Sequence, residues 1–202
     1  MAKLFGNLHL VLAIGLVATI AVIMAFAGYT GDTAADITND IFHWVHAFFG
    51  ILWIGLLYYL NFVQVPTMPK VPAELKKGVT GYIAPNVFFY FRYAALLTVI
   101  MGLAIAFMPP SPGAKPFGPD ALLFRGLGAD GINLIGLGMW LGIIMFLNVW
   151  LIIWPAQKKI LGIVEATDAE KAAAAPRALI ASRTNLLLSL PMLYCMVSAN
   201  LS

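Results

Sequence analysis

Five long apolar runs dominate this chain, at roughly 8–28, 41–65, 88–108, 132–154 and 178–200. Each is close to the ~20 residues that, at a 1.5 Å rise per residue, carry a helix across a hydrocarbon core. The runs do not alternate polar with apolar residues, which excludes barrel strands. A backbone in lipid must also satisfy its own hydrogen bonds, and that leaves helices. Composition agrees: 61% of residues are hydrophobic and 10% charged, against about 25% charge in a soluble domain. The expectation is an all-α integral membrane bundle of five transmembrane helices, forming one membrane domain over residues 1–202. Lys3, the first run and Ala25-Phe26-Ala27 imitate a signal peptide with its cleavage site. A run of about 20 residues is long for an h-region, so it is read as a helix.

Charge distribution orients the bundle. With the N-terminus in the cytoplasm, the inner segments hold Lys3, Lys70, Lys76, Lys77, Arg92, Lys158, Lys159, Lys171, Arg177 and Arg183, and the outer loops hold only Lys115 and Arg125. The positive-inside rule then predicts N-in and C-out. The net charge of +3 is accounted for by this asymmetry and points to no nucleic-acid surface. One cysteine, Cys195, permits no internal disulfide, and without C-x-x-C-H there is no attachment motif for covalent haem c.

The loops carry their own signals. Asp40 is suited to cap the second helix. The three prolines of "VPTMPKVPAELKKG" are expected to stop it. Arg92, in an aromatic cluster, can snorkel toward the cytoplasm. The long Pro- and Gly-rich outer loop is expected to hold a short interfacial helix near Ala121–Leu127. Gly138 and Gly142 form a G-x-x-x-G in the fourth span. Thr167 and Glu170 have capping-box spacing for a short cytoplasmic helix at about 167–175, with Pro176 opening the fifth span.

The second run bears the most informative pattern. His43, His46, Gly50, Trp53, Leu57, Asn61 and Gln64 step by three and four and so share one helix face. Two readings of the histidines stand. Either they lie at interface depth and bond water or backbone, or they are intramembrane ligands. His9 is the only other histidine. The expected topology puts it near the opposite side of the membrane, roughly 20 Å or more away, too far to share an iron. His43 and His46 project the same way and cannot be trans axial ligands to each other. Haem b therefore requires one His with another ligand opposite, or a second chain. Copper is the alternative: Met192, Cys195 and Met196 share a face of the fifth helix in the same outer half. Thioether, thiolate and imidazole suit Cu(I). Methionine as gap-filler and an inert buried cysteine are the plain reading of the same residues. Arg183, with Thr184 and Asn185, is either a snorkelling side chain or a site for an anion or a haem propionate.

"HWVHAFFGILWIGLLYYLNFVQVP", the following "MPK" and "SRTNLLLSLPMLYCMVSANL" resemble the membrane-embedded N-terminal domain of bacterial cytochrome-c-linked urate oxidases. That resemblance implies a membrane domain preceding a haem c domain, and urate oxidation with electrons passed to the respiratory chain. The matching positions include His43, His46, Arg183 and Asn185. A helix opening on His with Trp53-x-Gly55 downstream is more loosely similar to small membrane proteins of the CopD and HemJ type, whose histidines are tied to copper or haem b. The sequence ends at Ser202 without C-x-x-C-H, so the expected chain is a membrane domain without its haem c partner domain. Arg92 and Arg183 are the basic residues in or beside the spans that could serve a urate anion. Two functions follow. One is a subunit of a larger bioenergetic or redox complex in the bacterial inner membrane. The other is a self-standing redox protein with haem b or copper near His43 and His46, working with a separate cytochrome. A transporter fits less well, since no charged residue lies at mid-membrane and no inverted repeat is present.

Overall fold

A computed structural model describes residues 5–109, 115–125 and 134–199. Five helices in it are long and apolar enough to cross a membrane: α1 Leu8–Thr30, α2 Ala34–Lys70, α3 Ala73–Phe107, α5 Leu134–Ile160 and α6 Asp168–Ser198. A short helix, α4 Gly118–Leu122, lies between α3 and α5. It replaces the helix expected near Ala121–Leu127, whose last residues lie outside the described ones.

Three helix starts differ from the hydropathy pattern, for one reason. Hydropathy marks where a helix meets hydrocarbon, whereas capping groups and prolines mark where it begins. Helix α2 starts at Ala34 because Thr33 and Asp36 form a reciprocal capping box; Asp40, expected as the cap, is already inside the helix. Helix α3 starts directly after Val71-Pro72, so "AELKKG" is its first turn and a half and not a loop. The expected short helix at 167–175 is the beginning of α6. Its capping box of Thr167 and Glu170 opens one continuous helix that runs through Pro176 and Pro191.

The three prolines of "VPTMPKVPAELKKG" do end α2, at Lys70 before Val71-Pro72, but Pro66 itself lies inside the helix. Pro66, Pro85 and Pro155 each follow by two residues a wide π-type turn, at Tyr59–Gln64, Val79–Ile83 and Val149–Ile153. A proline ring crowds the carbonyl four residues back and offers no N–H. Widening the preceding turn relieves the crowding and lets the helix continue. Helix α2 therefore runs past Pro66 and ends in a tight turn at Met68–Lys70.

The most extensive contacts are α2 with α3 and α5 with α6; α1 touches little beyond α2. Asn61 of α2 reaches Ser182 of α6, and Tyr58 reaches Ser189. Asn148 of α5 likewise reaches Ala181. Both α2 and α5 are thus antiparallel to α6. Lys70, Lys76, Lys77, Lys158, Lys159 and Lys171 gather at one end of the bundle, and His43, His46, Cys195 and Met196 lie in the other half. Trp53, Leu57, Phe91, Met145 and Val149 form the centre of the core and are almost wholly buried. In lipid such packing holds helices together by close contact and interhelical hydrogen bonds, because the tails are as apolar as leucine. Only Gly138 of the G-x-x-x-G is used that way. A Cβ there would stand 2.9 Å from the Cβ of Cys195, whereas Gly142 has nothing within 4 Å.

Candidate functional site

The polar face of α2 crosses the bundle and meets a different partner at each level. Toward the N-terminal end of α2 His46 is half-buried, and its Nδ1 donates to Thr98 O of α3 at 2.8 Å. One turn earlier His43 is exposed, with Nδ1 donating to Asn39 O of its own helix at 2.9 Å. A carbonyl only accepts, so in both rings Nδ1 carries a proton, and in the neutral form Nε2 keeps its lone pair. That is the arrangement of a metal-binding imidazole, whose second nitrogen is oriented by a carbonyl. Gly102 of α3 makes room for the His46 ring: a Cβ there would fall 2.8 Å from Cε1 and 3.0 Å from Nδ1.

Trp53 and Leu57 close the middle level. Trp53 is 1% exposed, and its Nε1 has no hydrogen-bond partner among the described residues. Below them lies a carboxamide layer joining α2, α5 and α6. Asn61 Nδ2 donates to Leu57 O and to Ser182 Oγ, both at 2.9 Å. Asn148 Nδ2 donates to Ala181 O at 2.8 Å and to Asn185 Oδ1 at 2.7 Å. Asn185 Nδ2 donates to Met145 O at 3.0 Å. Tyr58 and Ser189 add a hydroxyl pair at 3.2 Å. The side-chain oxygens of Asn61, Gln64 and Asn148 are buried and accept nothing among the described residues, which leaves acceptor capacity in the layer. Sequence reading had Asn61, Gln64 and Asn185 but missed Tyr58, Asn148, Ser182, Ser189, Thr98 and Gly102. A signal for part of it was present. Ser182, Asn185, Ser189, Met192 and Met196 step by three and four along one face of α6.

The remaining expected residues are divided among other neighbours. Cys195 and Met196 pack on Gly138 of α5, and Met192 belongs to the same apolar core as Trp53. The imidazoles instead engage α3 and their own helix. Among the described residues no three His, Cys, Asp or Glu side chains gather as they would around a metal ion. Arg183 is exposed on α6, next to Ser182 at the level of Asn61 and so in the half of the bundle away from the histidines. Arg92 is held between α3 and α5, its guanidinium 3.9 Å from the centre of the Trp154 ring and flanked by Tyr93 and Phe89. His9 is nearer the pair in depth than topology implied. Thr19 and Trp44 line one groove between α1 and α2, which sets His46 level with about residue 17 and His9 about 12 Å further along the axis. That still exceeds any metal–ligand bond several-fold.

As for cofactors, the two Nε2 lone pairs at i and i+3 fit a soft or borderline metal ion. A porphyrin does not fit between α2 and α3 at His46, where the ring already lies against Gly102. It could meet only the outer side of α2, at His43.

The fold defines a helical protein whose five long apolar helices mark it as a multi-pass membrane protein. Residues 123–202 match the family model described as urate oxidase N-terminal, so α5 and α6, with the second of the two sequence motifs, are related to that domain. The α2 motif with His43 and His46 lies outside the matched stretch. No curated protein and no solved structure matches the chain.

Proposed function

We propose that the chain is a membrane module of the urate-oxidase type that works as a subunit of a larger redox or bioenergetic complex. It is placed in the bacterial inner membrane with its basic end in the cytoplasm. One observation carries this reading: among the described residues the best-formed hollows are open grooves on outer faces, one between α1 and α2 and one on α6. The interior at Trp53, Leu57 and Asn61 is filled. A substrate as polar as urate would have no enclosed room among the described residues, so chemistry would call for a surface shared with another subunit. Helix α1 fits the same picture, with only 6% of its apolar window buried. The test is mild solubilisation from native membranes, followed by mass measurement and an optical spectrum of the intact assembly. The expected result is a stoichiometric complex with a haem-bearing subunit and no Soret band in the isolated chain. Urate-dependent cytochrome reduction by the isolated chain would overturn it.

A second reading keeps the chain as a redox protein with copper at His43 and His46, or haem at His43. The shared Nδ1-to-carbonyl arrangement favours it. One metal per chain in the purified protein, lost in His46→Ala, would support it.

A further inference from the structure

We propose that the outer face of α6 at Arg183 is a binding site for the phosphate of an anionic phospholipid. Arg183 lies five residues beyond Ala178, inside the apolar part of the helix, and its side chain is exposed. It makes no hydrogen bond or ion pair among the described residues. The nearest carboxylate on α6 is Glu170, about 20 Å down the axis and already paired with Lys159 at 2.9 Å. Helix α5 carries no acidic residue from Leu134 to Ile160, and Asp36 and Asp40 of α2 are at the other end of the bundle. A charged side chain inside a span ordinarily turns to the bundle interior or to a partner; this one turns outward and is unpaired among the described residues, which leaves it open to a counter-charge from outside them.

The shape around it selects the source. Ile180, Arg183, Thr184 and Leu187 line a shallow groove. Thr184 donates its hydroxyl to Ile180 O at 3.0 Å, which leaves the guanidinium as the groove's anion donor. Beyond it Leu187, Leu190 and Tyr194 continue the same face and are 70%, 63% and 66% exposed. From Arg183 to Tyr194 is about 16 Å along the helix, close to the ~15 Å depth of one leaflet's hydrocarbon. A phosphate on the planar guanidinium fork, with an acyl chain laid along that apolar stripe, satisfies both parts. A carboxylate on an apolar partner helix is the competing occupant, which crosslinking from position 187 distinguishes. The basic residues at this end, Lys158, Lys159, Lys171 and Arg177, raise the local concentration of anionic lipid.

The experiment reconstitutes the full chain in nanodiscs of phosphatidylcholine with a minority of phosphatidylglycerol and measures lipid retention by native mass spectrometry. Wild type is expected to retain phosphatidylglycerol preferentially. Arg183→Gln is expected to reduce that preference by more than the roughly fivefold worth of one basic residue near an anionic surface, while Arg177→Gln, which removes only that diffuse attraction, reduces it less. Leu190→Ser should weaken retention without changing headgroup preference. An unchanged preference in Arg183→Gln overturns the proposal. So does equal loss in Arg177→Gln, or a phosphate effect on melting as large as that of the lipid, which would mark a free-anion site. Crosslinking from position 187 to a protein subunit in native membranes, in place of lipid, also overturns it. Failure here leaves the subunit reading intact, since that rests on what co-purifies.

Discussion

Gly102→Ala isolates the contact that aims His46. The new Cβ would stand 2.8 Å from Cε1, whereas ordinary contact begins at 3.4 Å, so the ring must retreat by about 0.6 Å. Along the hydrogen bond that motion stretches the 2.8 Å link to Thr98 O to about 3.4 Å, outside the useful range. Overpacking of this kind costs about 1–3 kcal/mol, and a lost hydrogen bond within a membrane adds about 0.6 kcal/mol. The expected loss is therefore about 1.5–4 kcal/mol, read by titrating the protein in mixed micelles from folded to unfolded. The second arm repeats Gly102→Ala in a His46→Ala background, where the space is already free. There the penalty should fall by at least about 1 kcal/mol, the coupling expected of residues in direct contact. A penalty below about 0.5 kcal/mol, or one that persists without the imidazole, would refute the argument that Gly102 exists to seat this ring.

Two further outcomes follow from other levels of the bundle. Asn185→Leu removes the bonds to Met145 O and Asn148 Nδ2. At ~0.6 kcal/mol per membrane hydrogen bond, with a ceiling near 1.7, the loss should be about 1–3 kcal/mol in the same titration; no loss would show that the carboxamide layer does not hold α5 to α6. At the aqueous start of α6, hydrogen bonds from Lys159 and then Thr167 pull the Glu170 carboxyl down to about 2 from an ordinary 4.5. A lowered folded-state value means that its stabilisation is present above pH 4.5 and is lost as pH falls from 4.5 toward 2. Glu170→Gln should flatten the acid limb of a helicity or melting profile in that window, and an unchanged profile would count against the capping pair.

The α2 contribution to the core and to the carboxamide layer was readable in advance because it depends on period. Trp53, Leu57 and Asn61 were placed on one face of α2 by spacing alone, and that face is the buried one. The rest of the site depends on which helix lies opposite, and spacing within a helix carries nothing about that. Thr98 and Gly102 look like ordinary residues of an apolar span until α3 is set beside α2. Arg183 looks equally able to face inward or outward until α6 is packed on α5.

What the sequence determined by itself is the number of long apolar helices, their polar stripes, and the capping box of α6. These follow from chain-local quantities: the apolar length needed to cross lipid, the 3.6-residue turn, and side chains that bond their own backbone three residues on. Tertiary structure alone decided that Pro66, Pro85 and Pro155 are absorbed by wide turns, that His46 is tied to α3, and that Cys195 and Met196 lie on Gly138 instead. Each of these is set by a neighbour distant in sequence, whose close approach settles which carbonyl, ring or Cβ occupies the available space.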